Sequence, residues 1–174
     1  MLKVAYISPI YFANVDISFI HEMRNYCDIY YFPIARPEYK GCAIECPQLA
    51  KSGIYDAIDI PALKRLREFI DLDKTKIIVR YETSSRSMQN FAITHQLVRI
   101  LKKELFDVIH FTEMLRASEL ELLLFRNKSV LSVHDPFSHS YVRSKAVEFY
   151  RKLMFSCLSH FIVFNTAQTQ NFIT

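Results

Sequence analysis

Two short apolar runs flank a segment of helical periodicity near the middle of the chain, and this arrangement restricts the fold more than any other feature. The first is Val108-Ile109, running on through His110-Phe111-Thr112-Glu113; the second is Val130-Leu131-Ser132-Val133, followed at once by His134-Asp135-Pro136. Strand, helix, strand is a βαβ unit, and its two strands must lie parallel. Both strands end in polar, ionisable residues. Ligands of an open parallel sheet bind beyond the carboxyl ends of the strands. His110, Glu113, His134 and Asp135 are therefore expected along one functional edge.

The same alternation extends through the chain. Strands are expected at 3–8, stopped by Pro9, at 29–32, closed by Pro33, at 77–81 and at 161–164. A helix after the first strand takes Asp16 as its N-cap and turns Phe19, Ile20, Met23, Tyr26 and Cys27 inward. Pro61 opens a short helix with Leu63, Leu66, Phe69 and Ile70 as its stripe. Ser84 or Ser85 caps a helix over 86–105, with Met88, Phe91, Ala92, His95, Val98 and Leu101 or Leu105 inward. The helix of the βαβ unit spans about 116–126 and buries Leu120, Leu123 and Leu124. The last long helix, 144–158, carries Ala146, Val147, Tyr150, Leu153, Met154, Cys157 and Leu158. Residues 36–58, broken by Pro37, Gly41, Pro47 and Gly53, read as a long loop or insertion with a short helix around 48–51. The class is α/β, with a mostly parallel, doubly wound sheet of about six or seven strands flanked by helices in one domain, 1–174.

Composition removes several function classes. Apolar residues make up 51% of the chain, which excludes a disordered polypeptide. Only two glycines occur, Gly41 and Gly53, too few for a Walker loop or a dinucleotide fingerprint. A formal charge of +4 is mild for a protein that grips a duplex, so no nucleic-acid partner is expected. No apolar run is long enough to cross a membrane, and MLKVAYISPI is too short in its apolar part for a secretory signal. Cytoplasmic residence is expected. Cys27, Cys42, Cys46 and Cys157 show no CxxC spacing and read as scattered thiols; Cys42 and Cys46 alone do not make a metal site. His21, His95, His139 and His160 have no metal-ligand spacing either, so no metal is expected.

Each candidate site residue has a plainer alternative. His134-Asp135-Pro136 can hold a ligand hydroxyl or move a proton, or can simply open a loop. His110 can face a ligand or fill the core, and Glu113 can pair with it or stand in solvent. Asn165-Thr166 opens a further helix whose N-terminus would attract phosphate or carboxylate, or would only be capped. Over 143–152, Arg143, Lys145, Arg151 and Lys152 against Glu148 leave a net charge of +3. That face suits anionic lipid headgroups, or is a solvated helix face.

Taken in order, KVAYISP, DVIHFTE, VLSVHDP and FYRKLMFSCLSHFIVFNTAQTQNFI resemble the N-terminal domain of retaining GT-B glycosyltransferases of the family 4 type. The resemblance spans nearly the whole chain and is clearest over 107–173. It implies a Rossmann-like, acceptor-binding domain forming half of an interdomain cleft. The donor-binding C-terminal domain would be absent, so the isolated chain is expected to be inactive. The full protein would move a sugar from a nucleotide-sugar donor, a substrate rather than a cofactor, to a saccharide or lipid-linked acceptor. His134 matches the family's strand-end histidine, and Asp135 follows it; both are expected to be catalytic. Asn165 and Thr166 match the small polar pair opening the last helix. They are expected to bind substrate together with Ser8, Pro9, His110 and Glu113. The first loop here, SPIYFANVD, lacks the family's glycine pair, so phosphate contacts are not carried over to Ser8–Asn14. A peripheral position on the inner membrane face through 143–152 fits a lipid-linked acceptor. A non-catalytic docking subunit of a split glycosyltransferase and a stand-alone α/β nucleotide-binding regulator are the rival readings.

Overall fold

The computed structural model describes residues 1–36, 42–44, 49, 51–133 and 145–164, with the side chain of Val147 left aside. Seven strands form one sheet: β1 (Leu2–Pro9), β2 (Cys27–Ala35), β3 (Gly53–Asp56), β4 (Lys76–Val79), β5 (Val108–Phe111), β6 (Ser129–Val133) and β7 (His160–Val163). Their order is β3-β4-β2-β1-β5-β6-β7. Every pairing is parallel except β3 with β4, which is antiparallel. This is an α/β, Rossmann-like fold.

Both faces of the sheet are covered, as parallel strands require. Alternation along β1 illustrates the division. Ala5 and Ile7 enter one core layer, with Phe32, Ile34, Ile78, Ile109 and Leu131, beneath α2 (Met88–Glu104) and α3 (Lys145–Cys157). Tyr6 enters the other, with Ile29, Tyr31, Ile77 and Val79, beneath α1 (Ala13–Met23) and the 3-10 segment Pro61–Leu66.

Several local expectations are corrected. β1 runs through Pro9, which sits opposite Ile34. β2 likewise passes through Pro33. That residue lies between the Tyr31–Thr75 bridge and the β4 ladder that opens at Ile34–Ile78, where no β4 bond needs its missing N–H. Asp16 is not an N-cap. It lies inside α1, buried, and its carboxylate serves a side-chain network instead. Tyr26 is 76% exposed and Cys27 begins β2, so α1 keeps Ile20 of its expected face buried, with Met23 packed beside it, and adds Ala13 and Ile17.

α2 keeps Val98 and Leu101 of its expected face inward and turns the rest of that face outward. Ile93, Leu97, Val98 and Leu101 are buried, whereas Met88, Phe91 and Leu105 are exposed. The polar Asn90 and Thr94 share the buried face and disguise it. Between β5 and β6 the chain forms a 3-10 helix, Ala117–Lys128, not an α-helix. In a 3-10 helix residues three apart eclipse, so Glu119, Leu122 and Phe125 turn inward and Leu124 is left exposed. β3 is the strand hidden within the expected 36–58 loop; the short helix around 48–51 falls largely outside the described residues.

Candidate functional site

The chain leaves β1 for β2 on one side and later returns to β5 on the other side. The carboxyl ends of β1 and β5 thus flank the topological switch point, where open α/β sheets bind ligands. Pro9 closes β1 and is buried. Across the switch point, Tyr11 Oη donates to Glu113 Oε1 at 3.4 Å, joining the loops after β1 and β5.

Ser8 is fully buried and points under the sheet rather than along its rim. Its hydroxyl donates to Asp16 Oδ2 in a short hydrogen bond. Tyr31 Oη donates to the same oxygen at 3.1 Å, and Tyr6 Oη donates to Asp16 Oδ1 at 2.7 Å. A buried carboxylate is stable only if its lone pairs are met, and three hydroxyls meet them here. Burial, reinforced by the Asp16 charge, pushes both phenols well above their ordinary range. Both therefore remain donors at neutral pH.

His110 lies on the same face, opposite Tyr6 in the β1–β5 register, with the two rings edge-on at 5.0 Å. Its Nε2 is 2.7 Å from Ser132 Oγ on β6. Strand alternation makes this pair: His110 opposes Val130, and Ser132 is the next residue of β6 on that face. The ring is half-buried, so an imidazole reaches the edge while its neighbour hydroxyl is held inside. His134, Asp135, Asn165 and Thr166 fall outside the described residues. His134 follows directly on Val133, the buried last residue of β6.

The opposite face holds a cluster that the sequence reading missed. Arg36 follows β2 and Arg80 follows β4, and Arg80 N–H donates to Ala35 O at 2.9 Å, which keeps the two arginines side by side. Their side chains are only 6% and 2% exposed. Both reach Glu119 Oε1, Arg36 Nη2 at 3.3 Å and Arg80 Nη1 at 3.1 Å. Glu119 Oε2 accepts the Arg116 backbone N–H at 2.7 Å. Arg80 also donates to Thr94 Oγ1 at 2.9 Å and to Ser118 Oγ at 3.2 Å. Burial lowers the Arg80 pKa; Glu119 opposes the shift and Arg36 adds to it. The available sequence signal was a single cation closing each of two apolar runs, FPIAR and KIIVR.

Among the described residues no group of histidine, cysteine and acidic side chains could hold a metal ion. A hollow of about 600 Å³ lies at the opposite edge, where the strands begin. It is a groove of mixed charge in which Lys74 Nζ is 2.8 Å from Asp28 and 3.5 Å from Asp71. Its size alone does not make it the site, since it lies away from the carboxyl ends of the strands. On α3, Lys145 and Lys152 are exposed while Arg151 bonds Glu148 at 2.9 Å; Arg143 falls outside the described residues. No helix among the described residues is long and apolar enough to cross a membrane.

No protein-family model matches this chain, and a search of curated proteins finds no relative. Solved structures do resemble it. A UDP-N-acetylglucosamine 2-epimerase from Rickettsia bellii aligns over 99% of this chain and 41% of its own, at 14% identity and a TM-score of 0.55. A protein assigned as a UDP-N-acetylglucosamine 2-epimerase from Listeria monocytogenes aligns over 99% of this chain and 41% of its own, at 12% identity and a TM-score of 0.59. The chain thus spans about two fifths of the length of these neighbours. At such identities the likeness is one of fold.

Proposed function

We propose that this chain is the acceptor-side half of a retaining GT-B glycosyltransferase, which transfers a sugar from a nucleotide-sugar donor to a saccharide or lipid-linked acceptor. The observation that carries the reading is the switch point itself. Polar strand ends converge there, on a sheet shaped like about two fifths of enzymes that process a nucleotide sugar and have a GT-B-like fold. In the reaction the bond from the anomeric carbon to the diphosphate breaks, a bond to an acceptor oxygen forms, and the acceptor hydroxyl's proton passes to the departing diphosphate. His134 positions the transferred sugar at the rim of β6, and Asp135 holds its loop or a hydroxyl. Pro9, His110, Glu113, Asn165 and Thr166 border the acceptor, and Ser8 anchors the first loop from below. The partner is a C-terminal donor-binding domain, whose cationic groups and helix ends would stabilise the diphosphate as it leaves. No metal or separate cofactor is needed by this chain. Exposed Lys145 and Lys152 on either side of Phe149 give α3 a face suited to headgroups near a lipid-linked acceptor.

The test uses the whole protein. His134→Ala is expected to abolish most transfer while leaving the melting temperature unchanged; transfer at near wild-type rate would remove His134 from the site. The 174 residues alone should transfer nothing. The printed activity of the two neighbours favours one further reading, the first half of a sugar-nucleotide epimerase. Proton NMR of a nucleotide sugar incubated with the whole protein separates the two. Inversion at a ring carbon without an acceptor product would establish the epimerase and end the transferase reading.

A further inference from the structure

The Arg36–Glu119–Arg80 cluster carries more positive charge than it can neutralise internally. Two guanidinium groups share one carboxylate oxygen, and the carboxylate's other oxygen is taken by a backbone N–H. Among the described residues the buried sum is one uncompensated positive charge. Among the described residues the buried Nε atoms of both arginines meet no acceptor, and the buried Oδ1 of Asn90 beside them meets no donor. A charge removed from water without a partner is costly, and a fold that only needed a brace would do as well with one arginine. The cluster lies at the carboxyl ends of β2 and β4, on the edge where this class of sheet binds ligands. Arg36, Arg80 and Arg116 line a narrow pocket there with Thr83, Ser85, Asn90 and Ser118, and the exposed Glu82 at its mouth sets one carboxylate against the third cation, Arg116. Its walls leave no space for a water-sized sphere as they stand, and Asn90 Nδ2 closes it by donating to Glu82 O and Ser84 O at 2.9 Å each, so entry of an anion requires those two bonds to open.

We propose that Arg36 and Arg80 form an anion-recognition site that takes a phosphate or carboxylate group, either free or carried on a sugar. The planar guanidinium fork matches either group with two parallel bonds, which an ammonium does not. The site stands whether or not the chain takes part in sugar transfer, because it needs only the edge and the unmatched charge.

The test is thermal unfolding of the full chain against inorganic phosphate, glucose 1-phosphate, glucuronate and uncharged glucose, with chloride holding ionic strength constant. At ten times the dissociation constant the melting temperature should rise by roughly 3–6 °C with at least one of the anionic compounds and stay flat with glucose. A larger response to glucose 1-phosphate than to phosphate assigns the anion to a sugar; equal responses assign it to free phosphate; a response to glucuronate alone assigns it to a carboxylate. Arg36→Gln leaves the Arg80–Glu119 pair electroneutral, so it should fold and lose the response, with affinity at least tenfold weaker. Arg36→Lys keeps the charge without the fork and should fall between the two. No rise in the wild type, or an equal rise in wild type and Arg36→Gln, overturns the proposal, and the wild-type arm decides even if a variant fails to fold.

Discussion

Asp16 sets the character of one face of the sheet through its charge and its three hydroxyl partners. Tyr6 and Tyr31 are held protonated by burial and by that carboxylate, so the folded state keeps protons that the unfolded chain releases near its ordinary phenol range. A folded-state pKa raised above the unfolded value gives stability that is intact below the unfolded value, about pH 10, and is lost as pH rises beyond it. Each tyrosine should add up to about 1.4 kcal/mol of loss per pH unit above that point. Urea unfolding between pH 8 and 11.5 should therefore steepen downward above pH 10. Tyr6→Phe should lower stability at neutral pH, by about 1–3 kcal/mol for the unmatched carboxylate oxygen, while flattening the alkaline fall. An alkaline slope unchanged by that substitution would mean that Tyr6 does not carry the effect.

Element by element, the strands were the legible part and the helix faces were not. Continuous apolar runs such as VAYI and IIV are hard to place anywhere except in a sheet covered on both faces. The helices conceal their inner faces because polar residues occupy them: Asp16 in α1, Asn90 and Thr94 in α2, and Glu119 in the 3-10 segment. A hydropathy stripe skips such positions and slides onto the neighbouring apolar ones. For Ala117–Lys128 the period itself changes from 3.6 to three. This can be measured directly. Leu122 is 1% exposed and Leu124 is 64% exposed. Leu122→Ala should cost about 2–5 kcal/mol and Leu124→Ala no more than about 0.5 kcal/mol in urea unfolding. Equal costs would favour an α-helical turn with Leu124 packed inward. The candidate site divides in the same way. His110 and Glu113 were visible because both stand at the polar carboxyl end of one apolar run, β5 and the turn that follows it. The Arg36–Arg80 pair was not, because only the β2–β4 adjacency, which no local pattern encodes, brings the two side chains together.

At the scale of the whole molecule the sheet is asymmetric. One edge ends in β3, a short antiparallel strand. The other ends in β7, which among the described residues pairs only with β6. β7 places His160 and Ile162 opposite Val130 and Ser132, on the face of the sheet that carries Tyr6 and His110. α1 covers that face over β1 and β2 but packs no closer to β7, and Ile162 is 41% and Phe164 62% exposed. An edge strand with an apolar outer face is a template for pairing with another chain, and charge or polarity on that face is the usual protection. Ile162→Thr keeps the β-branched shape that suits a strand and removes apolar area from the exposed side. The 174-residue chain carrying this change should keep its melting temperature within about 3 °C, since a largely exposed position changes stability by no more than about 0.5–1 kcal/mol. Its onset of light scattering on concentration or gentle heating should move to clearly higher concentration or temperature. An unchanged onset would show that self-association starts elsewhere, and that this side of the sheet is no more adhesive than the β3 side.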